Sequence, residues 1–196
     1  MARTDQSRDK LVATAAALLR RRGYAAMATT DVLRDSGVTS GSLYHHFPGG
    51  KEDLALAALD ASARRVEQQL ADVLARHRTT AAALKHWVNQ LATALAADAE
   101  DGCPVAPAAL EAVHASARLR SAAAAAFERW LDPIARSLRA EGWPAGQARK
   151  AALLVLATIE GALLLSRTAG DAEALSAVGR QIDVLLARPS SGTKLR

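Results

Sequence analysis

Residues 29–51, TTDVLRDSGVTSGSLYHHFPGGK, constrain this chain more than any other stretch. They read as two short helices around a tight turn, followed by the entry to a third. Val32 and Leu33 give the first helix an apolar side, and Ser36-Gly37 ends it. Glycine suits that end because the left-handed conformation that closes a helix clashes with a Cβ. Val38 plugs the core between the two helices, and Thr39 or Ser40 caps the second through its side-chain oxygen. That second helix, residues 40–47, carries Leu43 and Phe47 four apart, so one apolar stripe faces inward. Ser40, Gly41, Ser42, Tyr44, His45 and His46 are left for the other faces. Small polar side chains, a phenol and two imidazoles suit a DNA major groove and its phosphates, and the glycine allows close backbone approach. The same geometry also fits an ordinary surface helix pair whose aromatics cover a core edge.

The segment GVTSGSLYHHFPGGKEDL resembles the recognition segment of the TetR family of bacterial repressors. There a Gly-Val/Ala turn precedes a small-Gly-x-Leu-Tyr-x-His-Phe helix, and Gly23-Tyr24 sits where the family has that pair. Three departures stand out. Met27-Ala28 occupies the place of the usual Thr or Ser cap, so the cap is expected at Thr29. Leu33 replaces a typical Ala, and Pro48-Gly49-Gly50 is one residue longer than usual, a feature similar to the LmrA-like subgroup. The resemblance implies double-stranded operator DNA as partner, met by Thr29, Thr30, Thr39, Ser40, Gly41, Ser42, Tyr44, His45, His46 and Lys51. Tyr44 and Lys51 are expected at phosphate.

Charge placement agrees with that expectation. Residues 1–51 hold eight Lys/Arg against four Asp/Glu, whereas the remainder is nearly balanced, with 17 against 16. The positive excess therefore accompanies the helix pair, as a polyanion-binding end requires. Aromatics make up only 4% of a chain that is half hydrophobic, so the core must be built from Ala, Leu and Val, a mix that favours helices. No period-two alternation is sustained, which argues against a sheet protein. A single cysteine cannot form an internal disulfide and fits a reducing, cytoplasmic setting. The N-terminal apolar run meets Arg20-Arg21-Arg22 instead of a cleavage site. Residues 151–165 are the most hydrophobic run, but their short length, Thr158 and Glu160 point to a buried helix and not a membrane span.

The expected fold is all-α with about nine helices: a three-helix DNA-binding domain over 1–50 and a helical ligand-binding and dimerisation domain over 51–188. Residues 189–196 read as a disordered tail. After a loose arm at residues 1–3, Thr4 or Asp5 caps a first helix to about Arg22. Arg3, Arg8 and Lys10 near its start either reach phosphate or form a solvated face. A long helix over about 51–76 should join the two domains without a linker. Further helices are expected over about 80–98, from Pro107 to His114, and over 117–140 with a kink at Pro133. Two apolar helices, about 146–168 and 171–187, complete the chain.

The second half carries its own resemblance. DGCPVAPAALE, the Phe127-x-x-Trp130 pair and VLATIEGALLLSR are similar to the LmrA-like subgroup. That resemblance implies an effector pocket inside the domain and a homodimer interface formed by the last two helices. The pocket is expected to draw on Trp87, Leu91, Cys103, Val105, Phe127, Trp130, Leu131, Glu160 and Leu164, each of which can also be plain core. Glu160, an acid on an apolar helix, needs a partner: an effector's cation, Arg167 or a neighbouring helix. Cys103 reads as a structural thiol in preference to a redox sensor. No phosphate-cradling glycine loop, CxxC, HExxH or Ser-His-Asp spacing supports an enzyme, a metal site or a cofactor. The competing class is a helical small-molecule carrier or enzyme that never touches DNA.

Overall fold

The computed structural model describes residues 2–99 and 102–187. Among these residues the chain forms nine helices and no strand: α1 (Ala2–Arg22), α2 (Thr29–Ser36), α3 (Ser40–His46), α4 (Lys51–Arg76), α5 (Thr80–Ala97), α6 (Ala106–Ala115), α7 (Ala117–Ala140), α8 (Ala145–Ala169) and α9 (Glu173–Leu185). They gather into two compact units. One holds residues up to 69 with 102–130; the other holds 70–99 with 131–187. Both α4 and α7 are continuous helices that supply residues to each unit.

In the first unit, α1 packs against α2, α3 and α6. Leu11, Ala15, Leu18 and Leu19 recur at helical spacing on its buried face, and Val32, Leu43, Phe47 and Met27 meet them in the core. Burying Leu43 and Phe47 contributes about 1.5–3 kcal/mol each, enough to hold a helix of only seven residues that would not form alone. Trp130 is fully buried, and its indole N–H donates to Ala63 O at 3.0 Å.

The second unit is built on α5, α8 and α9, with α9 packed along both partners. The inner face of α8 is Ala148, Ala152, Val155, Leu156, Ile159, Ala162, Leu163 and Ser166. The Ser166 hydroxyl accepts from Leu175 N at 3.2 Å and so fixes the start of α9. Thr79 caps α5 by accepting from Ala82 N at 3.2 Å, and Thr80 hydrogen-bonds Glu141, just past the end of α7.

Several local expectations change. Helix α1 already begins at Ala2, ahead of the expected cap and within the supposed arm. Ala28, with extended backbone, holds the cap position of α2 and offers no side-chain bond, so Thr29 is the first helical residue and not the cap. Helix α7, by contrast, spans Ala117–Ala140 as expected, with Pro133 inside it. Helix α8 has 25 residues, long and apolar enough by length to cross a membrane, so shortness is no argument against a span. Its buried inner face is what marks it as the core helix of the second unit. Residues 189–196 lie outside the described residues.

Candidate nucleic-acid interface

The turn between α2 and α3 takes the form its residues dictate. Gly37 adopts φ +66° and its N–H donates to Leu33 O, closing α2. Thr39, in extended conformation, caps α3 by accepting from Ser42 N at 3.4 Å. With Leu43 and Phe47 turned into the core, Ser40, Gly41, Tyr44 and His45 are exposed and Ser42 is half-buried. A side chain at Gly41 would meet nothing within 4 Å, so the backbone of α3 is open to close approach. On α2, Thr30 is exposed and Thr29 half-buried.

Tyr44 projects with 56% exposure, and its Cε1 lies 3.4 Å from where a Gly50 side chain would begin. Gly50 adopts φ +63°, which turns the chain from the end of α3 into α4. Lys51, the first residue of α4, is half-buried. Its ammonium donates to Ala25 O at 3.0 Å and sits 4.6 Å from the centre of the Tyr24 ring. Tyr24 is raised above the usual phenol range by burial and by the Glu52 carboxylate. Lys51 thus reaches the surface already oriented, with two N–H groups beyond the one committed to Ala25. His46 differs from the expectation of an outward imidazole, because its Nε2 is buried and lacks a hydrogen-bond partner among the described residues. Arg8 lies 5.7 Å over the Phe47 ring, behind α3.

Three residues that matter to this module lie far along the chain, where local reading finds no signal for them. Glu111 on α6 accepts from Ala25 N in the α1–α2 turn. Ser116 and Arg118, at the α6–α7 junction, bond Glu52 and Asp53 in the first turn of α4.

The residues expected around an effector divide between the units. Cys103, Val105, Phe127 and Trp130 belong to the first; Trp87, Leu91, Leu131, Glu160 and Leu164 belong to the second. Phe127 and Trp130 meet edge to face with ring centres 5.3 Å apart. The Trp130 N–H does not await a ligand, since Ala63 O already holds it. Cys103 is buried, and its Sγ accepts from Ala106 N at 3.3 Å at the start of α6. Trp87, Val105 and Leu131 are buried, and Leu91 and Glu160 half-buried. Leu164 is 60% exposed on the outer face of α8 and lines no interior of its unit.

Comparison with known proteins places both halves. Residues 11–58 match the family described as bacterial regulatory proteins, tetR family. Residues 80–181 match the LmrA/YxaF-like transcriptional regulator C-terminal domain. An uncharacterised HTH-type transcriptional regulator of Mycobacterium tuberculosis is 38% identical over 184 residues, covering 91% of this chain and 93% of its own. The HTH-type transcriptional regulator LmrA of Bacillus subtilis is 32% identical, with 93% and 97% covered. A TetR transcriptional regulator from Chloroflexus aurantiacus superposes with TM-score 0.79 at 31% identity, covering 94% of this chain and 96% of that one. Reduced NemR of Escherichia coli shares the fold at TM-score 0.82 and 22% identity, with 94% and 99% covered.

Proposed function

The chain belongs to the TetR family of bacterial transcriptional regulators, with a C-terminal half of LmrA/YxaF type, and we propose that it is a ligand-responsive repressor binding a palindromic operator as a homodimer. Membership makes it a DNA-binding regulator and not an enzyme. The finer reading rests on one observation above all. Helix α3 is anchored by Leu43 and Phe47 and leaves its small polar face, Tyr44 and His45 open to a partner. In this reading residues 1–50 meet DNA and residues 51–188 bind effector and dimerise.

The dimer follows from apolar surface. Leu153, Leu154, Leu164 and Leu165 on α8 and Val184 on α9 are all more than half exposed, on helices whose other faces form a core. Val155, Leu156, Ile159, Leu163 and Ile182 are buried inside the protomer and play no part in that interface. A twofold axis through these helices sets two recognition helices roughly 34–36 Å apart, one turn of DNA. The effector is a mostly apolar small molecule that favours a wrongly spaced conformation. It weakens operator affinity by its own difference in affinity between the two states.

Selection from a random duplex library, followed by anisotropy titration, tests the DNA reading. A recovered site should be an inverted repeat bound by two protomers. A protein that enriches no sequence and binds duplex no better than a neutral helical protein would end it. Screening lipophilic compounds for release of the recovered duplex, alongside tryptophan fluorescence, tests the effector.

A further inference from the structure

Arg118 lies in the first turn of α7, 65 residues from Asp53, yet its guanidinium spans two adjacent carboxylates of α4. Its Nη1 donates to Glu52 Oε2 at 2.8 Å and its Nη2 to Asp53 Oδ1 at 3.0 Å. The Ser116 hydroxyl donates to Glu52 and accepts from the Arg118 and Leu119 amides at 3.2 and 3.3 Å. The start of α7 is therefore fixed on the same carboxylate. The other oxygen of Asp53 accepts from Gly49 N at 2.8 Å, and a Cβ at position 49 would have to displace it. Gly50 follows with φ +63°, and Tyr44 Cε1 lies 3.4 Å from where its Cβ would stand. Asp53 thus ties α7 to the turn at residues 48–50, on which the ring of Tyr44 rests.

We propose that Arg118 is a positioning residue for DNA binding: through Asp53 and Gly49 it sets the turn after α3, and so the direction of the Tyr44 hydroxyl, without touching the duplex itself. This role rests on the reading of the chain as a DNA-binding regulator. An exposed ion pair adds only modestly to stability, so what Arg118 contributes is geometry. Its planar fork with both ends committed holds Asp53 in one rotamer, and that rotamer is the acceptor for the turn. Without it Glu52 and Asp53 stand side by side as like charges, and each gains by swinging away from the other. The Gly49 amide then loses its fixed partner.

Anisotropy titrations of the duplexes recovered by selection test this role, with circular dichroism to confirm that each full-length variant is folded. The Arg118 side chain is 60% exposed, so its replacement opens no core. Arg118→Ala and Arg118→Gln should each bind about tenfold more weakly, with the salt slope of the wild type because no phosphate contact is lost. In a Tyr44→Phe background the hydroxyl to be positioned is gone, and the Arg118→Ala loss should shrink to about threefold. A loss that stays tenfold there would overturn the positioning role and leave the DNA reading intact. So would Arg118 variants that bind as tightly as the wild type. A salt slope shallower by about one would overturn it in favour of a direct phosphate contact by Arg118. A wild type that binds no duplex removes the DNA reading and this role together.

Discussion

Glu111 Oε2 accepts the backbone N–H of Ala25 at 2.5 Å, across 86 residues of sequence. The same carboxylate fills the space above Gly23, where φ is +78° and any Cβ would collide with it. One acid of α6 therefore closes the turn from α1 to α2, and glycine is favoured at position 23 both by its left-handed backbone and by the nearness of this carboxylate.

Glu111→Ala should cost about 1 kcal/mol in urea unfolding, the net worth of a part-exposed charged hydrogen bond. Gly23→Ala should cost roughly 2 kcal/mol, combining left-handed strain with displacement of Glu111. In the double variant the collision is absent, so the two losses should sum to less than their separate values. Strict additivity would show that the two residues do not meet.

Acid should loosen the α4 entrance. Asp53 accepts from Gly49 N at 2.8 Å and from Arg118 Nη2 at 3.0 Å, and Glu52 accepts from the Ser116 hydroxyl and from Arg118 Nη1 at 2.8 Å. The Gly49 amide and then Arg118 hold Asp53 below the usual carboxylate range; the Ser116 hydroxyl and then Arg118 do so for Glu52. A carboxylate lowered in the folded state stabilises fully above its unfolded pKa, near 4, and loses that contribution as pH falls through the folded value. Unfolding stability should decline between about pH 5 and 2, more steeply in the wild type than in Arg118→Ala with Ser116→Ala. Parallel profiles would remove these bonds as the cause.

Leu165→Glu, at a 63% exposed position of α8, should leave each protomer folded and convert dimer to monomer in sedimentation. Leu156→Glu, in the core of the same helix, should unfold the unit instead. A wild type that is monomeric at micromolar concentration would exclude this interface.

Lys51→Ala should weaken binding to all duplexes and flatten the salt slope by about one charge. Tyr44→Phe should weaken binding uniformly with the slope unchanged, since no charge is lost. Ser40 and Ser42 substitutions should alter base preference in a repeated selection. An unchanged slope in Lys51→Ala would mean that the ammonium serves Ala25 and Tyr24 alone.

Trp130→Phe should cost about 1 kcal/mol, the bond to Ala63 O, whereas Trp130→Ala should cost about 3–5 kcal/mol by opening a cavity. Phenylalanine is therefore the variant with which to ask whether Trp130 also senses an effector. Equal losses in the two variants would show that the ring is not packed.

Where a few adjacent residues decide an outcome, sequence alone determined it. The order of helices, the Gly37 turn, a cap of α3 at Thr39 or Ser40 and, His46 apart, the outward polar face of α3 follow from hydrophobic period and backbone preference, which act within a turn or two. The family resemblance was legible for the same reason, because the recognition segment is contiguous. Ala28 at the α2 cap escaped because the choice between neighbouring positions turned on how the chain leaves α1.

Tertiary structure alone decided matters that depend on residues far apart. The apolar run of α8 states that two faces are hydrophobic but not which is covered; packing of α5 and α9 buries Val155 and Ile159 and leaves Leu153 and Leu165 outside. Trp130 finds Ala63, and Glu111 finds Gly23 and Ala25, only once α6 and α7 lie against α1 and α4. A hydrogen bond needs its donor within about 3 Å, and no local pattern records which distant backbone will be brought that close.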